Sequence, residues 1–165
     1  MSSHASTAII VSAALALASP ALAMPMGGSY SGRVDNQVPQ MLGPNQVRVQ
    51  QTATGLNAGP GTPLDGAKVQ WNEIVSLTNG QGPVEGTITF ITPTGTSSSA
   101  YKGTVTTDAQ GRVTGRGTFK TSEATGELAG IKGSGTFDVA YSSKTDFTGS
   151  WKGDFRTPGQ KSSRR

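Results

Sequence analysis

Thr145-Asp146-Phe147-Thr148-Gly149-Ser150-Trp151-Lys152-Gly153-Asp154-Phe155-Arg156 is the stretch that decides the fold class. Phe147, Gly149, Trp151, Gly153 and Phe155 fall on every second position, with Thr148, Ser150, Lys152, Asp154 and Arg156 between them. Successive side chains of a strand point to opposite faces. One face therefore carries rings separated by glycine gaps, and the other is wet.

The same alternation runs back through the chain. Gly133, Gly135, Phe137, Val139 and Tyr141 form one row, Gly115, Gly117 and Phe119 another, and Val84, Gly86, Ile88 and Phe90 a third. Eight strands are expected: Gly28–Val34, Gln46–Thr54, Ala67–Leu77, Val84–Ile91, Ala100–Thr107, Arg112–Thr121, Ile131–Tyr141 and Thr145–Phe155. Asn79-Gly80, Asp108 to Gly111 and Ser142-Ser143-Lys144 read as hairpin connections. A Gly-Thr-apolar phrase recurs unevenly at Gly86, Gly103, Gly117 and Gly135, which fits similar strands of one sheet rather than a solenoid. With no helix to cover the apolar face, the sheet must close or fold into a sandwich. A closed, antiparallel eight-stranded barrel is the expectation, because closure removes the edges.

Ahead of the strands, an apolar run from Ala8 to Ala18 ends at Ser19-Pro20 and is followed by Ala21-Leu22-Ala23. That is the layout of a secretory signal peptide over residues 1–23, although Met1 to Thr7 lacks Lys and Arg. The run is shorter than the roughly 20 residues a membrane helix needs, so no integral membrane association is expected. The barrel domain is assigned to 24–157 and a basic, disordered tail to 158–165, in a secreted or periplasmic product. The chain holds 14 basic and 10 acidic residues. Lys161, Arg164 and Arg165 account for most of the excess, and the near-neutral body argues against a nucleic-acid groove. There is no Cys, so the core stands without disulfides.

Ala124-Thr125-Gly126-Glu127-Leu128-Ala129-Gly130-Ile131-Lys132-Gly133-Ser134-Gly135-Thr136-Phe137 resembles a signature of the allene oxide cyclase and dirigent-like barrels. It is still more similar to small bacterial proteins of that barrel class. The resemblance implies a calycin-like, allene oxide cyclase-like fold. Relatives include cyclases and proteins that guide coupling reactions. Nothing before Val84 takes part in it, so it assigns no catalytic residue.

The only histidine, His4, lies in the segment expected to be cleaved. Ser-His-Asp and Cys-His nucleophilic sites and His- or Cys-based metal centres are thereby excluded, and no cofactor is implied. Gly115-x-Gly117 and Gly133-x-Gly135 lie inside strands with no helix after them, so they are not phosphate loops. Glu73 stands out among the acids. The row Val69, Trp71, Glu73, Val75, Leu77 puts it on the apolar face, where burial would raise its pKa and make it a general acid or base. A bulge that turned Ile74 inward would instead leave Glu73 on the surface. Tyr30, Tyr101 and Tyr141 are either ligand contacts or core tyrosines with satisfied hydroxyls.

In up-and-down order the connections Gly55–Gly66, Thr92–Ser99 and Ser122–Gly130 share one end, and Asp35–Asn45 lies at the other. The long-loop end is expected to be the mouth, rimmed by Trp71, Phe90, Tyr101 and Phe119. Gly59-Pro60-Gly61-Thr62-Pro63 would be its lid or a disordered connector. Tyr141 and Trp151 complete the expected lining. The favoured function is binding of a small, mostly apolar molecule. The alternatives are an isomerase or cyclase in which Glu73 moves a proton, and a packed, non-catalytic envelope or interaction module. An ionisable group in the cavity separates the first two, and glycine gaps filled by opposing rings would support the third.

Overall fold

Asn79 and Gly80 both have positive φ, 52° and 77°. That is the backbone of a type I′ turn, whose twist matches the strands it joins. A computed structural model of the protein describes residues 22–157. The expected tail at 158–165, and all but Leu22 and Ala23 of the expected signal peptide, lie outside the described residues.

The strands are β1 (Met24–Gly43), β2 (Gln46–Ala58), β3 (Lys68–Thr78), β4 (Gln81–Thr92), β5 (Gly95–Thr107), β6 (Val113–Ala124), β7 (Lys132–Tyr141) and β8 (Asp146–Arg156). Each pairs antiparallel with its neighbours in sequence, and β8 pairs with β1 from Met24↔Phe155 to Arg33↔Asp146, so the eight form a ring. A single 3-10 turn, Gly126–Leu128, is the one helical element among the described residues. The chain is all-β, as its alternation requires. The apolar rows point into the ring: Val69, Trp71 and Val75 of β3, and Phe147, Trp151 and Phe155 of β8, are buried.

Several expected connections are strand instead. Asp35–Asn45 is not a loop, because β1 continues to Gly43 and leaves only Pro44-Asn45 as the turn. The expected start of the fifth strand at Ala100 is also too late. β5 begins at Gly95, so Thr92–Ser99 shrinks to Pro93-Thr94. Gly55–Gly66 shortens because β2 runs to Ala58, and Ser122–Gly130 because β6 runs to Ala124. Each extension has a physical reason for being hidden. β1 carries a register shift between Val34 and Asn36, so Val34 and Gln37 both turn inward although three positions apart. Thr96-Ser97-Ser98-Ser99 has no apolar member, yet it pairs on both sides, with β4 and with β6.

Glycines let rings cross the sheet. A Cβ at Gly32 would stand 2.5 Å from Phe147, one at Gly133 2.2 Å from Phe155, and one at Gly149 2.5 Å from the Tyr30 hydroxyl. At these places the gaps are filled by the aromatic side chains across from them.

The two ends differ. One has the four tight turns that join β1–β2, β3–β4, β5–β6 and β7–β8. The other is closed by the segments 59–67 and 125–131, which bury Leu64, Ala67, Leu128 and Ile131. Asn57 fastens that closure. Its side-chain amide donates to the Leu64 carbonyl (2.7 Å), and its side-chain oxygen accepts from Trp151 Nε1 (2.8 Å). Gly59-Pro60-Gly61-Thr62-Pro63 is thus part of an anchored plug, with Gly59 N–H bonded to Asp65 Oδ1 at 2.9 Å.

Candidate functional site

A cavity of about 220 Å³ lies inside the ring. It extends to the tight-turn end, where Leu77, Val113, Ser143 and Lys144 line it; no residue of 59–67 or 125–131 does. Phe137, Val139 and Tyr141 face inward here yet keep partial exposure. The long-loop end is therefore not the mouth. The loops expected to frame an entrance bury four apolar side chains instead, and access is from the opposite end.

The side chains expected to line a site all border this cavity: Trp71, Glu73, Phe90, Tyr101, Phe119, Tyr141 and Trp151, and so does Tyr30. They do not act as one rim. Phe90, Phe119 and Phe155 pack around Trp151 beneath the plug, with centroids 5.8, 6.4 and 5.8 Å from the Trp151 ring. Trp71 lies in a second cluster, 5.4 Å from Tyr30 and 5.1 Å from Phe147, and Tyr141 is 5.3 Å from the same Phe147 ring.

Glu73 faces inward, and the β3 register is unbroken from Lys68 to Thr78, so no bulge turns Ile74 in. Register explains what it meets. Gln37, Gln51 and Glu73 are successive cross-strand partners on β1, β2 and β3. Gln37 Nε2 donates to Gln51 Oε1 at 2.7 Å, and Gln51 Nε2 donates to Glu73 Oε1 and to the Tyr141 hydroxyl (3.1 Å). On the other side Glu73 is opposite Gly86 on β4, and Gly86 is opposite Tyr101 on β5. A Cβ at Gly86 would come within 2.7 Å of the Glu73 Cβ. Its absence lets the Tyr101 hydroxyl reach across a whole strand and donate to Glu73 Oε2.

Each carboxylate oxygen thus has one neutral donor, and no Lys or Arg forms an ion pair with Glu73 among the described residues. Glu73 is half-buried, and hydrogen bonds to a charged group contribute about 1.5–3 kcal/mol each. The phenols stay protonated. Burial first, and then the nearby Glu73 charge, push Tyr101 far above the ordinary tyrosine value. Burial, then Asp138 and Glu73, raise Tyr30, whose hydroxyl donates to the Asp138 carbonyl at 2.9 Å. Burial and Glu73 push Tyr141 up to about 12.

Reading the sequence missed Gln37, Gln51 and Asn57. Gln51 was findable, since it occupies the inward phase of Val47, Val49, Gln51, Ala53. Gln37 was not, because the shift at Asp35 reverses the phase before it. No protein-family model matches the chain, and no curated protein matches it in sequence.

Proposed function

We propose that the ring is a closed, calycin-like barrel of an exported protein, secreted or periplasmic, and that it holds a small, mostly apolar molecule. The observation that carries this is the cavity itself, walled by Trp71, Ile88, Val139 and their neighbours and reaching one end of the ring. An apolar cavity of about 150 Å³ takes benzene, so the present one suits a molecule of roughly ten non-hydrogen atoms. Kinship with allene oxide cyclase-like barrels is proposed on the same footing. What supports it is the eight-stranded ring and the phrase Ala124 to Phe137, which supplies Leu128 and Ile131 to the plug.

The second reading, an isomerase or cyclase, gains from one observation: Glu73 borders the cavity with the Tyr101 hydroxyl bonded to it. That is a candidate proton-transfer pair beside an apolar space. It presupposes binding, so binding is the common ground of both readings. The packed interaction module draws support from the filled glycine gaps, but these lie over rings and leave the cavity open.

The test is a titration of the full-length protein with small aromatic compounds, followed by tryptophan fluorescence. Saturable binding that disappears in Val139→Trp, which fills the cavity, is expected. Absence of saturable binding across the panel rejects the reading. A substrate that still binds to Glu73→Gln but no longer turns over would establish the enzyme.

A further inference from the structure

We infer that the molecule this cavity is built for carries a positive charge: a small lipophilic amine whose protonated nitrogen pairs with Glu73. The inference rests on the lumenal-binding reading and adds to it the ligand's charge.

Glu73 is the one acidic side chain among the cavity-lining residues. Its oxygens are held by Gln51 and Tyr101, both neutral. Glu73 is half-buried against an apolar wall, a charge partly withdrawn from water is stabilised by a partner of opposite sign, and no Lys or Arg among the described residues pairs with it. Lys144 also lines the cavity, but from the β7–β8 turn, and it makes no ion pair with Glu73. Gln51, Tyr101 and Tyr141 beside Glu73 are neutral groups, so a protonated amine entering the cavity would be the counter-ion this carboxylate lacks.

The walls beside the carboxylate fit the same cation. Trp71 is two positions from Glu73 on the inward row of β3, and its ring meets those of Tyr30 and Phe147. Aromatic faces attract ammonium groups through their quadrupole. The Tyr141 hydroxyl accepts from Gln51 and has no acceptor for its own proton among the described residues, so it can also donate to an oxygen on the ligand. A carboxylate ligand would meet Glu73 with like charge, and a hydrocarbon would leave the carboxylate unpaired.

Three probes of one shape separate the cases: 2-phenylethylamine, 2-phenylethanol and phenylacetate, each titrated calorimetrically into the full-length protein at neutral pH. The amine is expected to bind at least ten-fold more tightly than the alcohol, and phenylacetate most weakly. In Glu73→Gln the amine should lose that advantage while the alcohol binds within about two-fold of its wild-type affinity, which also shows that the variant is folded. If Glu73→Gln does not fold, the wild-type ratio of amine to alcohol decides alone. Alcohol binding as tightly as the amine in the wild type overturns the inference and leaves lumenal binding standing. Failure of all three to bind overturns both.

Discussion

The two halves of the interior use the same alternation to opposite ends. Under the plug, Phe90, Phe119, Trp151 and Phe155 pack around one another, and the buried Asn57 spends its side-chain bonds to Leu64 and Trp151 on fastening the closure. Toward the tight turns, the inward row carries Gln37, Gln51, Glu73, Tyr101 and Tyr141, and the space between them is left unfilled. A sheet built only for stability would continue the first arrangement along its whole length, because apolar packing outperforms a partly satisfied polar network. The open half thus gives up stability to keep polar groups in place, as functional sites commonly do.

If that division is right, the largest loss comes from the packed half. Trp151→Ala removes a ring in contact with three others and leaves Asn57 Oδ1 without its donor. Urea unfolding should show a loss of about 3–5 kcal/mol, the range for a buried aromatic cut to Ala. A loss below about 1 kcal/mol would mean that the plugged half is not the anchor.

Alkaline pH should act on the other half, since Tyr30, Tyr101 and Tyr141 all stand there. Their folded-state pKa values are raised, so the stability they provide is fully present below pH ~10, where unfolded tyrosines begin to ionise. It falls as pH rises further, with slope of about 1.4 kcal/mol per unit for each tyrosine. The Tyr141 share levels off above its folded value of about 12, and the other two continue to fall. By pH 11 the three together amount to a loss of about 4 kcal/mol. Unfolding followed from pH 9 to 12 checks this, with ultraviolet titration of the phenols alongside. Native phenols that ionise near pH 10 would contradict the burial on which the site depends.

Asn57→Ala should cost about 1–3 kcal/mol, because it leaves the Trp151 indole N–H buried without an acceptor. Limited proteolysis should then cut first within 59–67. Cutting first at Pro44-Asn45 would place the weaker closure at the open end.

Much of this division is written in the chain, and the exceptions have causes. The period-2 rows fix which residues face inward, down to Glu73, because β3 has no register shift. Which end opens is not written there. Loop length suggested the long-loop end, but Leu64 and Ile131, isolated among small and polar neighbours, give no periodic signal that the loops fold inward. The network around Glu73 depends on cross-strand register. Nothing local joins Gln51 to Glu73, or reveals that Gly86 is the gap Tyr101 reaches across.

The smallest effect is expected where the chemistry is most specific. Glu73→Gln keeps the shape of the side chain. Its amide oxygen can still accept from Tyr101, while its NH₂ faces the NH₂ of Gln51 unless one of the two amides flips. A flip of Gln51 restores that bond at the cost of the one from Gln37, which is exposed and can turn to water. Against these losses, the variant no longer holds a half-buried carboxylate that has no ion-pair partner among the described residues. The terms oppose each other, and the net change in unfolding free energy should lie within about 1 kcal/mol of zero. Guanidinium unfolding of the wild type and the variant at pH 7 measures it. A loss above about 3 kcal/mol would show that the carboxylate holds the open half together. The contrast between a packed half and an open half would then lose its basis.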